Sequence, residues 1–306
     1  MNPFIYSDDN KRYHTLYYHN CRVFGGRVFK AAIDAGFTCP NIDGSKGSGG
    51  CIFCAGGSGY FTAGELSVKE QFRREELRIR AKYPNAKIIA YLQAHSNTYA
   101  PPAELERVYN ELIDAGAAGL AIATRADCID MDKARLLSSL PVPVTVELGL
   151  QTVHSSTAEK INRCHSFEEF LAGYDMLKSR GIRVCVHIIN GLPGEDEEMM
   201  LDTARRLGKL RPDGVKIHLL HVIRGTPLCG IYESGGYVPL TKEQYIDIVI
   251  RQLELIPAAT VIERLTGDGN KSTLAAPLWS ADKIAVLGGI DKRQSELDTW
   301  QGKSVG

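Results

Sequence analysis

Three cysteines share one glycine-rich loop of this 306-residue chain. Cys39, Cys51 and Cys54 follow the spacing C-x11-C-x2-C, and thiolates are soft ligands that favour zinc or iron–sulfur clusters. A redox pair would not need the third cysteine, and a closed zinc site would need a fourth ligand, which His95 could supply. Three thiols suit a four-iron four-sulfur (4Fe-4S) cluster in which one iron stays open to a small molecule that carries an amine and a carboxylate.

Polar residues also gather at the ends of predicted strands. In chain order they are Gln93 and His95, then Thr124, Arg125 and Asp127, then Glu147 and Gln151, then His187 and Asn190, and last His218 and His221. The carboxyl ends of the strands carry the chemistry in a βα barrel, whereas a core would not tolerate so many polar groups without partners. We therefore expect these residues to line one site, although a single member such as His187 is as well explained as a hydrogen-bonded core residue.

Six short apolar runs alternate with segments of helical periodicity, which is the pattern of parallel βα units. The predicted strands are residues 29–35, 87–93, 119–124, 144–150, 183–189 and 214–220. An open doubly wound sheet and an incomplete barrel both fit six strands, and the polar strand ends favour the barrel. We therefore predict an α/β fold built as a partial (β/α)6 TIM-like barrel.

The alternation of strands and helices stops near residue 222. A stretch rich in glycine and proline follows, and then a predicted helix over residues 241–255. The sequence therefore predicts three regions, which are an N-terminal extension over 1–28, the barrel over 29–222, and a C-terminal helical segment over 223–306 that packs on the barrel.

Composition and charge narrow the possible functions. Thirty-six basic and thirty-six acidic residues give a net charge of zero, which argues against indiscriminate nucleic-acid binding but not against a local basic patch. No apolar run approaches the roughly 18 residues of a membrane span, and the N-terminus lacks the basic and apolar regions of a secretory signal. We expect a cytoplasmic protein with no membrane partner, in which the eight cysteines stay reduced or bind metal.

Two stretches concentrate lysine and arginine. Residues 11–30 and 69–87 are basic, and tyrosines are interleaved in the first of them. Such stretches could follow RNA phosphates and stack a base. A mobile arm and a solvated helix face explain the two stretches equally well.

These motifs resemble the radical S-adenosylmethionine (SAM) superfamily. Within it the chain is most similar to the YhcC/YtqA-like subgroup, which is related to the Elongator catalytic subunit and to the oxygen-independent coproporphyrinogen oxidases. The likeness spans nearly the whole chain, with two departures at Ala126, where proline is usual, and at Glu263, where histidine is common. The segments that carry it are residues 36–41, 50–54, 93–101, 124–128, 147–151, 162–165, 191–195 and 264–268.

The resemblance implies two cofactors, which are a 4Fe-4S cluster on Cys39, Cys51 and Cys54 and a SAM molecule that the reduced cluster splits to a 5′-deoxyadenosyl radical. It also implies the SAM contacts: Gln93 in the same site, Gln151 at the ribose, Arg163 at the carboxylate, Glu147 at the amino end, His187 and Asn190 near the ribose, and Gly191 where the backbone passes close. The alternative for Arg163 and Glu147 is a mutual or neighbouring ion pair. Cys128 is a candidate catalytic residue, and a small buried cysteine is the alternative there.

The Elongator-like branch implies tRNA as the substrate. The expected reaction remodels the 5-side chain of the wobble uridine from carboxymethylaminomethyl to aminomethyl, with flavodoxin or ferredoxin as the one-electron donor. Two alternatives stay open. One is a radical SAM enzyme that acts on a small metabolite, and the other is a non-catalytic zinc or iron–sulfur scaffold that binds RNA or a protein partner.

Overall fold

A computed structural model describes residues 4–56, 62–267 and 271–305. Its main sheet contains β1 (Val28–Ile33), β2 (Lys87–Leu92), β3 (Leu120–Thr124), β4 (Val144–Gln151), β5 (Arg183–Asn190), β6 (Gly214–Leu219) and β8 (Val261–Arg264). The strands lie in that order, and every neighbouring pair is parallel. β7 (Val222–Ile223) and β9 (Leu274–Ala276) form a small antiparallel pair. The sheet is a curled half-barrel, which confirms the predicted partial TIM-like α/β fold.

Helices separate the strands and cover the outer face of the sheet. They are α1 (Leu16–Phe24), α2 (Val68–Arg80), α3 (Pro102–Asp114), α4 (Met131–Ser139), α5 (Ser155–Lys160), α6 (Phe167–Ser179), α7 (Glu197–Leu210), α8 (Pro227–Glu233), α9 (Lys242–Leu255) and α10 (Lys283–Glu296). Capping boxes start α2, α6 and α9, in which a Ser or Thr side chain and a Glu or Gln three residues later each accept a backbone hydrogen bond. These local signals fix where the helices begin.

The two faces of the strands differ in character. On β5, Val184, Val186 and Ile188 are at most 1% exposed beneath the helices, because they belong to the main hydrophobic core. The residues between them face the other way, and His187 there bonds to Glu147 of β4. Alternation of side chains along a strand therefore lines the inside of the half-barrel with polar groups.

The seventh strand was missed by sequence reasoning. β8 pairs with β6 in parallel, so the alternation of helix and strand continues beyond residue 222 through α9. Four residues, two of them charged, make too short a pattern to stand out from the surrounding loops. The C-terminal segment therefore contributes a strand as well as helices, and the division at residue 222 stays a prediction.

The N-terminal residues pack against the end of the chain. Thr15 forms a parallel bridge with Ile262, and the fully buried Gln301 accepts a hydrogen bond from the His14 amide at 2.8 Å. Arg12 pairs with Asp298 at 2.8 Å. This segment is therefore a packed part of the fold, and the mobile arm considered for residues 11–30 is wrong.

Candidate active site

The cysteine loop follows β1 at the carboxyl end of the sheet. The Cys54 amide donates to the Cys51 carbonyl at 2.9 Å, which forms the turn that a two-residue gap between ligands requires. All eight cysteines are free thiols. Burial, followed by the neighbouring Cys54, raises the pKa of Cys51 to about 11, so this thiol must lose a proton when it binds a metal.

The turn between α5 and α6 holds this loop in place. Asn162, at φ 54°, donates through Nδ2 to the carbonyls of Ser48 at 3.0 Å and Gly50 at 2.8 Å. Asn41, which is fully buried, donates to the Asn162 carbonyl and lies 3.7 Å from the sulfur of Cys51. Asn162 therefore acts as a buttress for the backbone between Cys39 and Cys51.

Replacing Asn162 with glycine should loosen the loop without straining it, because glycine adopts a positive φ freely. The two side-chain bonds to the loop would be lost, and groups that orient metal ligands typically contribute about 10–100-fold to metal affinity. We expect reconstituted Asn162→Gly to hold much less iron and acid-labile sulfide than the parent. Asn110→Ala, on the exposed side of α3, is the control, and full iron content in Asn162→Gly would contradict the buttress.

An ion-pair chain holds the loop from its other side. Lys46 lies within the loop and pairs with Asp127 at 3.0 Å and Glu169 at 2.7 Å. Arg125 donates from Nε and Nη2 to the two carboxylate oxygens of Asp127, each at 2.9 Å. Burial raises the pKa of Asp127, but hydrogen bonds from Arg125 and Lys46 outweigh burial and hold that pKa below its usual value. Polar residues after β3 thus position the cysteine loop.

The two residues between the closely spaced cysteines pack on an apolar cluster that includes part of the C-terminal segment. Ile52 and Phe53 stand between them and pack on an apolar cluster that includes Leu192, Leu220 and Leu228. The Leu228 amide of α8 donates to the Ile52 carbonyl at 2.9 Å. Sequence reasoning did not find this contact, because Ile52 and Leu228 are 176 residues apart in the chain and no local pattern joins them.

Glu147 lies inside the half-barrel with a fully buried side chain. Its Oε1 accepts from Lys30 at 2.6 Å, and its Oε2 accepts from Lys216 and lies 3.0 Å from His187 Nε2. The ion pair joins Glu147 to these lysines and not to Arg163. Both carboxylate oxygens are occupied, so the contact between Glu147 and the amino end of SAM stays a prediction.

Arg163 is 2% exposed, and its guanidinium donates hydrogen bonds to backbone carbonyls. Its Nη1 donates to the carbonyls of Leu150 and Thr152, the latter at 2.7 Å, and its Nε and Nη2 donate to the His165 carbonyl at 3.1 and 2.9 Å. The guanidinium thereby ties the end of β4 to the start of α6. Its contact with the SAM carboxylate stays a prediction.

The end of β5 packs on α9. Asn190 exchanges two hydrogen bonds of 2.8 Å with Gln252, and the Gly191 carbonyl accepts from Tyr237 Oη at 2.7 Å. Gly191 has φ 83°, and a Cβ there would lie 3.3 Å from Leu240 Cδ1. A positive φ and close packing account for this glycine, and the cofactor contacts of Asn190 and Gly191 stay predictions.

Other predicted site residues present polar atoms at the open end of the half-barrel. Gln151 Oε1 and His95 Nδ1 are buried without a hydrogen-bond partner among the described residues, and Gln93 is 6% exposed beyond β2. Buried polar atoms are nearly always paired in native proteins. Gln151 and His95 therefore fit a polar ligand such as SAM, whose hydroxyl and amino groups can both donate.

Cys128 lies in a short 3-10 turn after β3 and is 5% exposed. Burial, followed by the nearby Asp127 carboxylate, raises its pKa to about 12. The group is a neutral thiol at neutral pH, which suits the alternative of a small buried residue. Its catalytic role stays a prediction.

Within residues 4–56, 62–267 and 271–305, no three His, Cys, Asp or Glu side chains converge as ligands of a single metal ion. A cube-shaped cluster binds each thiolate through a different iron, so its cysteines need not converge on one point.

Residues 43–207, which are more than half of the 306-residue chain, match the family model of the radical SAM superfamily. The chain belongs to the radical SAM superfamily. Residues 212–296 match the model of the Radical_SAM C-terminal domain. The resemblance found in the sequence motifs is thereby confirmed, and the cofactors of this superfamily are a 4Fe-4S cluster and SAM. Asp268, at the end of one of those motifs, lies outside the described residues.

Three similar proteins show how far the likeness extends. YtqA from Bacillus subtilis is 45% identical over 99% of this chain and 95% of its own length. A tRNA uridine(34) acetyltransferase from Methanocaldococcus jannaschii is 29% identical over 58% of this chain and 33% of its own length. The solved structure of Elp3 from Methanocaldococcus infernus has a TM-score of 0.64 at 19% identity and covers 87% of this chain and 63% of that one, so it supports the fold alone.

None of the helices within the described ranges combines the length and hydrophobicity of a transmembrane span.

Proposed function

We propose that Cys39, Cys51 and Cys54 hold a 4Fe-4S cluster at which this radical SAM protein cleaves SAM. When bound, the cluster supplies the electron that splits SAM into methionine and a 5′-deoxyadenosyl radical. The observation that carries the proposal is one loop with three free thiols, braced by Asn162 and Lys46 at the carboxyl end of the sheet. Ile52 and Phe53, between two of the thiols, pack on an apolar cluster.

SAM is proposed to lie between this loop and the ends of β4 and β5. Gln151 Oε1 is a buried acceptor without a partner among the described residues, which supports the proposal that it accepts from a ribose hydroxyl. His187 stands one strand away and is oriented by its 3.0 Å contact with Glu147. Gln93 completes the polar lining on the side of β2.

The proposed substrate is tRNA, and the proposed reaction converts the wobble-uridine side chain from carboxymethylaminomethyl to aminomethyl. Two features support it. About half of the chain is similar to part of a tRNA uridine(34) acetyltransferase, and α2 with its following turn exposes several cations. Four residues of that stretch are exposed and form no ion pair with another described residue, and they are Lys69, Arg74, Lys82 and Lys87.

The other basic stretch gives less support. Arg12, Arg22 and Lys30 pair with Asp298, Asp8 and Glu147, in that order. On α2, Arg73 and Arg78 pair with glutamates one turn away, but exposed pairs of this kind contribute little and can exchange their partner for a phosphate. RNA contact is therefore expected around α2.

Loss of the gene should change tRNA at one position. In tRNA from a deletion strain, we expect the carboxymethylaminomethyl form of the wobble uridine to accumulate and the aminomethyl form and its derivatives to disappear, as measured by mass spectrometry of nucleosides. A plasmid copy should restore the profile, and a Cys51→Ala copy should not. An unchanged wobble-uridine profile in the deletion strain would remove tRNA as the substrate and leave a small metabolite.

A one-electron donor such as flavodoxin or ferredoxin is the expected protein partner, because cleavage of SAM consumes one electron. Eight free thiols suit a reducing compartment, and we propose the cytoplasm as the place of action.

A further inference from the structure

Three buried polar atoms lack a hydrogen-bond partner where β6 and β8 end. They are Nε2 of His218, Nε2 of His221 and Oγ1 of Thr266, each without a partner among the described residues. Native proteins satisfy the great majority of buried polar atoms, because an unpaired one costs free energy. A group of three on one side of the barrel mouth therefore points to a ligand that pairs with them.

The strands bring these three residues to the same end of the half-barrel. Lys216 of β6 is the register partner of Arg264 of β8, and His218 and Thr266 each stand two residues further along their chains. His221 lies beside the segment that follows β8, because a Cβ on Gly267 would come within 2.8 Å of its ring. Glycine at position 267 leaves the space that this imidazole occupies.

His218 faces the interior of the half-barrel. Its ring centroid is 5.2 Å from that of His187, which in turn contacts Glu147 at 3.0 Å. The polar lining thus runs from Glu147 of β4 through His187 of β5 to His218 of β6. SAM is proposed to lie at the ends of β4 and β5, and β6 and β8 come next in the sheet. The side of β6 that faces β8 is therefore the part of the lining left for the second reactant.

Both histidines carry no charge at neutral pH. Burial lowers the pKa of His221 to about 4, with Lys283 as the second cause. Burial, followed by His187 and Arg264, lowers the pKa of His218 well below its usual value. A neutral imidazole offers one donor and one acceptor, and a threonine hydroxyl offers both. This set suits an uncharged edge that mixes acceptors and donors.

We propose that His218, His221 and Thr266 form the substrate-recognition site and bind the imide edge of a uracil ring turned out of the RNA chain. That edge has two carbonyl acceptors on either side of one N–H donor. Enzymes that act on a base take it out of the stack and read its edge with hydrogen bonds. This inference deepens the proposed tRNA function and rests on it.

Two substitutions distinguish a role in RNA recognition from a role in the stability of the fold. His218→Leu and His221→Leu replace a ring whose Nε2 has no partner among the described residues with an apolar group of similar volume, so the melting temperature of the protein without RNA should stay the same or rise. The affinity of the reconstituted holoprotein for an anticodon stem–loop RNA with uridine at the wobble position, measured with SAM present, should fall about tenfold in each variant. His154→Leu is the control, since His154 Nε2 already contacts the Met199 carbonyl at 2.9 Å and lies away from this site.

The same RNA with N3-methyluridine at the wobble position tests the edge itself. The parent should bind it more weakly, and the leucine variants should bind both RNAs about equally. A fall in melting temperature, unchanged RNA affinity, or weakened binding of SAM in place of RNA would each overturn the proposal. Failure of the proposed function is a separate result, because it is measured as the tRNA profile of the deletion strain and as 5′-deoxyadenosine formed by the parent protein.

Discussion

Replacing any one of Cys39, Cys51 and Cys54 with alanine should abolish 5′-deoxyadenosine formation from SAM under reducing conditions. Loss of a residue that merely orients a ligand already lowers metal affinity by about 10–100-fold, so loss of a ligand itself should cost on the order of 100-fold or more. The visible absorption of the reconstituted cluster should disappear with the activity. Iron and sulfide content, the absorption spectrum and 5′-deoxyadenosine are the three measurements.

Cys164 is the matched control for this series. It is a free thiol close to the same loop, since a Cβ on Gly47 would lie 2.7 Å from its sulfur. Its sulfur contacts Asn162 Oδ1 at 3.2 Å. Cys164→Ala should keep the cluster and its activity, because only three thiols are proposed as ligands. If Cys164→Ala loses the cluster while Asn162→Gly keeps it, the Cys164 thiol is a fourth ligand that would close the iron at which SAM is expected to bind.

The six strands of the predicted barrel were visible in the sequence because each carries several consecutive apolar residues. Val184 to Ile188 illustrates this, since the outward positions are buried under helices. The apolar runs alone did not show that the inner face of the sheet is polar. Lys30 and Lys216 were the available signals of that polar face, since each is a charge within a mostly apolar strand. β8 has only four residues, two of them charged, so it did not stand out as an apolar run.

The cysteine loop could be found from spacing because its three thiols lie within 16 residues of one another. The hydrogen-bond and ion-pair partners of the other site residues could not be found from spacing. Lys30 and Glu147 are 117 residues apart in the chain, and Asn190 and Gln252 are 62 apart. Which polar groups meet is decided by register and curvature of the sheet, and these follow from packing that no local pattern reveals. The unpaired nitrogens of His218 and His221 were likewise visible only in three dimensions.

Glu147→Gln should destabilise the protein even when no cluster or SAM is bound. The carboxylate faces Lys30 at 2.6 Å and also bonds Lys216, whose side chain is 3% exposed. Removing one partner of a buried ion pair leaves uncompensated charge, which costs about 3–5 kcal/mol in the free energy of unfolding. Lys30 keeps its pair with Glu263 at 3.1 Å, so most of the loss should come from Lys216. Urea unfolding of the metal-free protein measures this change.

Two further variants decide between the structural role of Glu147 and its predicted contact with SAM. Glu111→Gln removes an exposed partner of Arg107 and should change the stability by less than about 1 kcal/mol. Glu147→Met combined with Lys216→Met removes both charges and should recover much of the stability lost in Glu147→Gln, since apolar groups of similar size can replace a buried pair. Glu147→Gln could instead have the same free energy of unfolding as the parent and a lower affinity for SAM. That result would show that the carboxylate binds the cofactor. It would also show that the lysines inside the half-barrel do not depend on it for charge compensation.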